Sequence, residues 1–93
     1  MFIPDSILDF HDFGVLSSFE IEQICHQFIE DCYHNGDNNI LIITGYGKSS
    51  GKAPKVRPLV EKLLETNNYI SSYKKASVEN GGIGSFEVIL KDE

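Results

Sequence analysis

The run Ile40-Leu41-Ile42-Ile43, opened by Asn39 and closed by Thr44, leaves no polar position at which a strand could meet water. Successive side chains of a β-strand point to opposite faces, so this run has to be buried on both. It therefore requires neighbouring strands beside it and other elements stacked on it. With 93 residues, 41% apolar and 24% charged, the chain has material for one packed domain, residues 1–93, and is not of disordered composition. No apolar stretch approaches the roughly 18 residues of a membrane span. Residues 1–6 lack the basic and apolar regions of a signal peptide, which makes the cytoplasm the expected compartment and excludes a membrane partner.

The cover for that strand is written on either side of it. Ser17-Ser-Phe-Glu20 is a capping box, followed by Ile21, Ile24, Cys25, Phe28, Ile29 and Cys32 on one helical stripe, with Asn35-Gly36 as the stop. Cys25 and Cys32 fall roughly 10 Å apart along that helix, too far for a disulfide, and read as small core residues. His26 and His34 belong to its polar side or end and read as surface residues. Val56, Leu59, Val60, Leu63 and Leu64 mark a second helix, with Pro54 at its first position and Pro58 tolerated in its first turn.

Three further strands complete the pattern. Ile7-Leu-Asp-Phe-His11 alternates, turning Leu8 and Phe10 to one side and Asp9 and His11 to the other. Tyr69 to Ala76 reads as a strand, Ser77 to Gly84 as a loop, and Ser85 to Leu90 as the last strand. Residues 1–6 form a short arm. The order β-α-β-α-β-β, with right-handed crossovers, makes the first three strands parallel and the fourth antiparallel. The predicted fold class is α/β, a two-layer sandwich with a four-stranded mixed sheet and both helices on one face.

In such a sheet the carboxyl ends of the parallel strands form the usual ligand edge. Asp9 and His11 end the first strand there, Thr44-Gly45-Tyr46-Gly47 leaves the second, and Gly81-Gly82-Ile83-Gly84 arrives from the third. Glycine-rich turns and a helix amino end suit a phosphate, and Lys48, Lys52, Lys55 and Arg57 sit in or just after the glycine loop, 45–54. A histidine can move protons at a phosphodiester, while Asp9 can orient its ring or bind a divalent metal. The glycines of 81–84 serve either a phosphate or the turn alone.

The net charge of −6 argues against nucleic acid, but the distribution argues for it. Residues 1–47 sum to −8, residues 48–75 to +5 and residues 76–93 to −3, so seven of the eight cations lie in one stretch of 28 residues. That is a polyanion footprint on one edge of an acidic body.

Leu8-Asp9-Phe10-His11, Thr44-Gly45-Tyr46-Gly47 and Gly81-Gly82-Ile83-Gly84, in this order around two amphipathic helices, resemble the LDxH, TGxG and GGxG motifs of the Smr (small MutS-related) domain. Residues 47–57, glycine-rich with a proline and then basic residues, resemble the long-loop, stand-alone bacterial members. The resemblance implies a fold similar to the C-terminal domain of the third bacterial initiation factor. It also implies endonuclease chemistry, DNA nicking or RNA cleavage, with Asp9 and His11 as the catalytic pair. The implied phosphate-binding set is Thr44, Gly45, Tyr46, Gly47, Lys48, Lys52, Lys55, Arg57, Gly81, Gly82 and Gly84. The expected partner is DNA or RNA, bound by a monomer, in DNA repair or RNA quality control. The alternative is a non-catalytic module binding nucleic acid or the ribosome, as in relatives lacking a complete LDxH.

Three positions depart from the family pattern. Asp12 follows the histidine where glycine is usual, the turn to Ser17 is long, and Tyr46 stands where a base is common. Tyr46 either stacks on a nucleobase or covers the loop.

Overall fold

The computed structural model describes residues 1–45 and 56–92, apart from the side chain of Ile83. Its strands are β1 (Ser6–Asp9), β2 (Asn39–Ile43), β3 (Ile70–Lys75) and β4 (Ser85–Leu90), and its helices are α1 (Ser18–His34) and α2 (Val56–Thr66). They form one sheet in the order β1-β2-β4-β3. β1 pairs with β2 in parallel, while β4 lies antiparallel to both β2 and β3. The first three strands thus share a direction and the fourth opposes them, as the crossover rule requires. Pro54 and the loop 46–55 lie outside the described residues.

The β2 run needed cover on two faces, and it has it. Ile40 and Ile42 face the helices beside Leu8, Phe86, Val88 and Leu90. The helices close that face with Ile21, Cys25, Ile29 and Cys32 from α1 and Val60 and Leu64 from α2. Each Ile, Leu, Val or Phe among them contributes about 1.5–3 kcal/mol on full burial. On the other face Leu41 is buried opposite Glu87 of β4.

The helix ends are set locally. Ser17 Oγ accepts from the Glu20 amide at 3.1 Å, and Glu20 Oε1 accepts from the Ser17 amide at 2.8 Å, which completes the capping box. The carboxylate of Asp5 accepts from the amides of Asn38 and Asn39, which draws its pKa down and ties the start of β2 to the residues before β1. Both cysteines are free and buried, and burial pushes the thiol of Cys25 up to about 12 and that of Cys32 to about 11. Neither is a nucleophile at neutral pH.

One expectation needs correction. β1 stops at Asp9, and Phe10–Asp12 form a 3-10 turn, so His11 is not a strand residue sharing a strand face with Asp9. The reason is local: Asp9 Oδ1 accepts from the His11 amide at 2.9 Å, which folds the chain back before the ladder can continue. Phe10 still enters the core, so the burial alternation survives although the strand does not. The stretch from Ser77 to Gly84, expected as a loop, connects β3 to β4 and contains two short 3-10 turns, Val78–Asn80 and Gly82–Gly84.

Candidate active site

The geometry begins with one carboxylate oxygen. Besides the His11 amide, Asp9 Oδ1 lies 2.9 Å from His11 Nδ1. A carboxylate only accepts, so Nδ1 carries a ring proton and Nε2 lies on the side of the ring away from Asp9. The same turn that ends β1 therefore fixes both the position and the tautomer of the imidazole. The ring is 65% exposed and open to a substrate.

The second segment supports the other side of that ring. Gly45 has φ +80°, and a Cβ at this position would stand 2.9 Å from His11 Nε2 and 3.4 Å from Cε1. Glycine is required here twice, by the left-handed backbone and by the approach of the imidazole. The third segment holds the second in place. The amides of Thr44 and Gly45 both donate to the carbonyl of Gly84, each at 2.9 Å, and Thr44 Oγ1 lies 3.2 Å from the same oxygen. Gly81, at φ +106°, makes that hand-over possible, because a Cβ there would collide with Ser85 Oγ. The three segments expected at one edge do converge on it.

Their glycine amides, however, turn inward. Gly81 donates to Val78, Gly82 to Ser77 and Gly84 to Gly81, in addition to the bonds from Thr44 and Gly45 to Gly84. Among the described residues the motif glycines thus build and brace the turn that carries the imidazole. Arg57, at the start of α2, is drawn onto the sheet. Its Cζ lies 4.8 Å from the centroid of the Phe86 ring and its Nη1 3.6 Å from Glu61 Oε1. Tyr46, Gly47, Lys48, Lys52 and Lys55 lie outside the described residues. Also among the described residues, no group of three or more His, Cys, Asp or Glu side chains is placed to hold a metal ion.

Glu87 was not singled out by the sequence. It is only 3% exposed on β4, and its Oε2 accepts from the Ser77 amide at 2.9 Å, Ser77 Oγ at 3.0 Å and Asn80 Nδ2 at 3.2 Å. Burial works to raise its pKa, but these bonds, with help from Lys74, prevail and hold it below the ordinary 4.5. The carboxylate therefore pins the start of the turn that ends at Gly84. A depressed pKa means that its stabilisation is present above about pH 4.5 and is lost as pH falls through the folded-state value. Denaturant unfolding from about pH 5 down to about pH 3 should show a steeper loss of stability in the native chain than in Glu87→Gln. Asp5 and Glu20 also titrate low, and their share cancels in that comparison. Parallel curves for the two proteins would mean that Glu87 is not the acid-sensitive anchor.

A sequence profile of the Smr domain matches residues 8–91. The structure superposes on the Smr domain of Thermus thermophilus MutS2 with a TM-score of 0.76 at 20% identity, covering 92% of this chain and 98% of that one. It superposes on YdaL, a stand-alone small MutS-related protein from Escherichia coli, with a TM-score of 0.78 at 25% identity. That match covers 92% of this chain but 64% of YdaL, so this chain spans a little under two thirds of that protein's length. No curated protein sequence matches the chain.

Proposed function

This chain belongs to the Smr domain family, and on that premise we propose that it is an endonuclease that cuts a phosphodiester of RNA or DNA, with His11 as general acid/base and Asp9 as its positioning residue. The observation that carries the reading is the contact between His11 Nδ1 and Asp9 Oδ1 at 2.9 Å on an exposed imidazole. His11 Nε2 takes the proton of the attacking hydroxyl as its oxygen bonds to phosphorus, and the phosphorus–oxygen bond to the leaving group breaks. The imidazolium, stabilised by Asp9, returns that proton to the leaving oxygen. Since the amides of Thr44, Gly45, Gly81, Gly82 and Gly84 serve the turn, the phosphate falls to Tyr46, Gly47, Lys48, Lys52 and Lys55. Arg57 contributes from the amino end of α2.

Labelled single-stranded RNA, duplex RNA and supercoiled DNA, each with and without a divalent metal, test the reading. Cleavage by the native chain supports it. Salt-dependent binding without cleavage on any substrate would instead assign a binding module for nucleic acid or the ribosome.

The cation footprint gives a separate expected result. Every phosphate that a cation no longer neutralises lowers the slope of log K against log salt by about 0.9 on duplex DNA or about 0.7 on a single strand. Replacing Lys52 and Lys55 together with Gln should flatten that slope by about one to two units. Lys91→Gln, beyond β4, should leave it unchanged. Titrations at several salt concentrations decide it, and an equal effect of Lys91 would move the footprint elsewhere.

A further inference from the structure

The helices cover one face of the sheet, yet the other face is not evenly bare. Ile7, Leu41 and Glu87 stand side by side on neighbouring strands, and Ile89 lies two residues beyond Glu87, so all four share that face. Ile7 is 55% exposed and Ile89 43%, but Leu41 only 4% and Glu87 3%. The N-terminal arm shields the middle of this row. The Asp5 amide donates to the Asn39 carbonyl at 2.7 Å, and Asn39 Nδ2 lies 3.5 Å from the Ile3 carbonyl. Farther out, the Phe2 carbonyl accepts from Asn80 Nδ2 at 3.2 Å, and the same nitrogen donates to Glu87 Oε2 at 3.2 Å. The arm thus runs from the amino end of β2 across to the turn before β4, where Phe2 is half-buried.

Asn80 joins two parts of the chain there. A primary amide has two N–H groups, and here one serves the arm and the other serves β4. The arm leads through β1 into Asp9 and His11. The turn leads to Gly84, whose carbonyl holds the amides of Thr44 and Gly45. The imidazole and the glycine that faces it therefore sit on separate segments, already paired once where β1 meets β2. Asn80 ties them a second time, from the far face of the sheet. Its partners are a carbonyl and a carboxylate, both acceptors, so only a side chain that donates twice can stand between them.

We propose that Asn80 is a positioning residue for His11. By fastening the N-terminal arm to the turn it holds Gly45 against the imidazole, and release of the arm slows the reaction from outside the site. The proposal rests on the nuclease reading above.

Two variants break the link from opposite sides: Asn80→Ala removes the donor, and deletion of residues 1–3 removes the Phe2 carbonyl. Each should lower kcat by about 10- to 100-fold, the loss expected when a catalytic group shifts by up to about 1 Å, with KM changed by less than about twofold. Combined, they should cost no more than the worse of the two, because both act through one link. Asn80→Asp keeps the shape but sets a third acceptor between two, so it should do no better than Asn80→Ala. Asn67→Ala is the control. It removes the 2.8 Å bond to the Tyr69 amide before β3, at the opposite end of the sheet, and should lower stability while kcat stays native. Loss of fold in the truncated chain alone leaves the Asn80 variants to decide.

A second readout needs no cleavage. The NMR signals of the Gly45 amide and the His11 ring should move in the folded Asn80 variants and stay native in Asn67→Ala. Native kcat in Asn80→Ala and Asn80→Asp, or an equal loss in Asn67→Ala, would overturn the proposal while the nuclease reading stands. If the native chain cuts no nucleic acid, the nuclease reading falls, and unmoved Gly45 and His11 signals in the Asn80 variants would overturn the positioning role on their own.

Discussion

Replacing His11 with Ala should lower cleavage by about 10²–10⁴-fold while the domain keeps its fold, because the loss of a positioned acid/base is a kinetic loss. The side chain is 65% exposed and its polar partner is Asp9, so the core packing is untouched by its removal. Exposed substitutions of this kind usually shift stability by less than about 0.5 kcal/mol. The Asp9 bond to the residue 11 amide persists in the variant, since it does not involve the ring. Initial rates on whichever nucleic acid the native chain cuts, beside a thermal melt, separate the two effects. Unchanged turnover in a folded variant would take histidine out of the reaction.

The second large effect is expected at a residue with no functional group. Gly45→Ala places a Cβ 2.9 Å from His11 Nε2, closer than carbon atoms settle, and holds it at φ +80°. The backbone cost is about 1–2 kcal/mol, which a folded domain survives. The imidazole, exposed and held at its opposite nitrogen by Asp9, is the group that gives way. Displacing a catalytic group by about 1 Å costs on the order of 100-fold in rate. Cleavage should therefore fall by about that factor, with binding far less affected. A variant as active as the native chain would show that the ring does not react from the position seen here.

Much of this arrangement was legible because its causes are local. The capping box at Ser17, the stripe from Ile21 to Cys32 and the two-sided apolar run of β2 each depend on near neighbours in sequence, and each is present. The edge that gathers Asp9, His11, Thr44, Gly45 and Gly84 followed from strand direction alone. What was not legible depends on side chains competing with the backbone or on packing across the sheet. Leu8 and Phe10 alternate as in a strand, yet Asp9 captures the amide of His11 and ends it. Glu87 sat in an alternating segment where a carboxylate is usually solvated, and only the turn at Ser77–Asn80 shows why it is buried. Arg57 followed the glycine loop like the lysines, but Phe86 and Glu61 draw it inward.

The central place of β4 also governs when the site can exist. The strand lies between β2 and β3 although it follows both in the chain. Until it inserts, β3 has no neighbour in the sheet and Thr44 and Gly45 have no Gly84 carbonyl to bond. Such long-range pairing comes late, because the intervening chain must be closed before any pairing rewards it. A nascent chain emerging from a ribosome as far as Lys75 carries His11 and Gly45 but not the brace that sets one against the other. The Asp9–His11 contact is local, but the brace that sets Gly45 against the ring forms only once translation has passed β4 and the exit tunnel has released it.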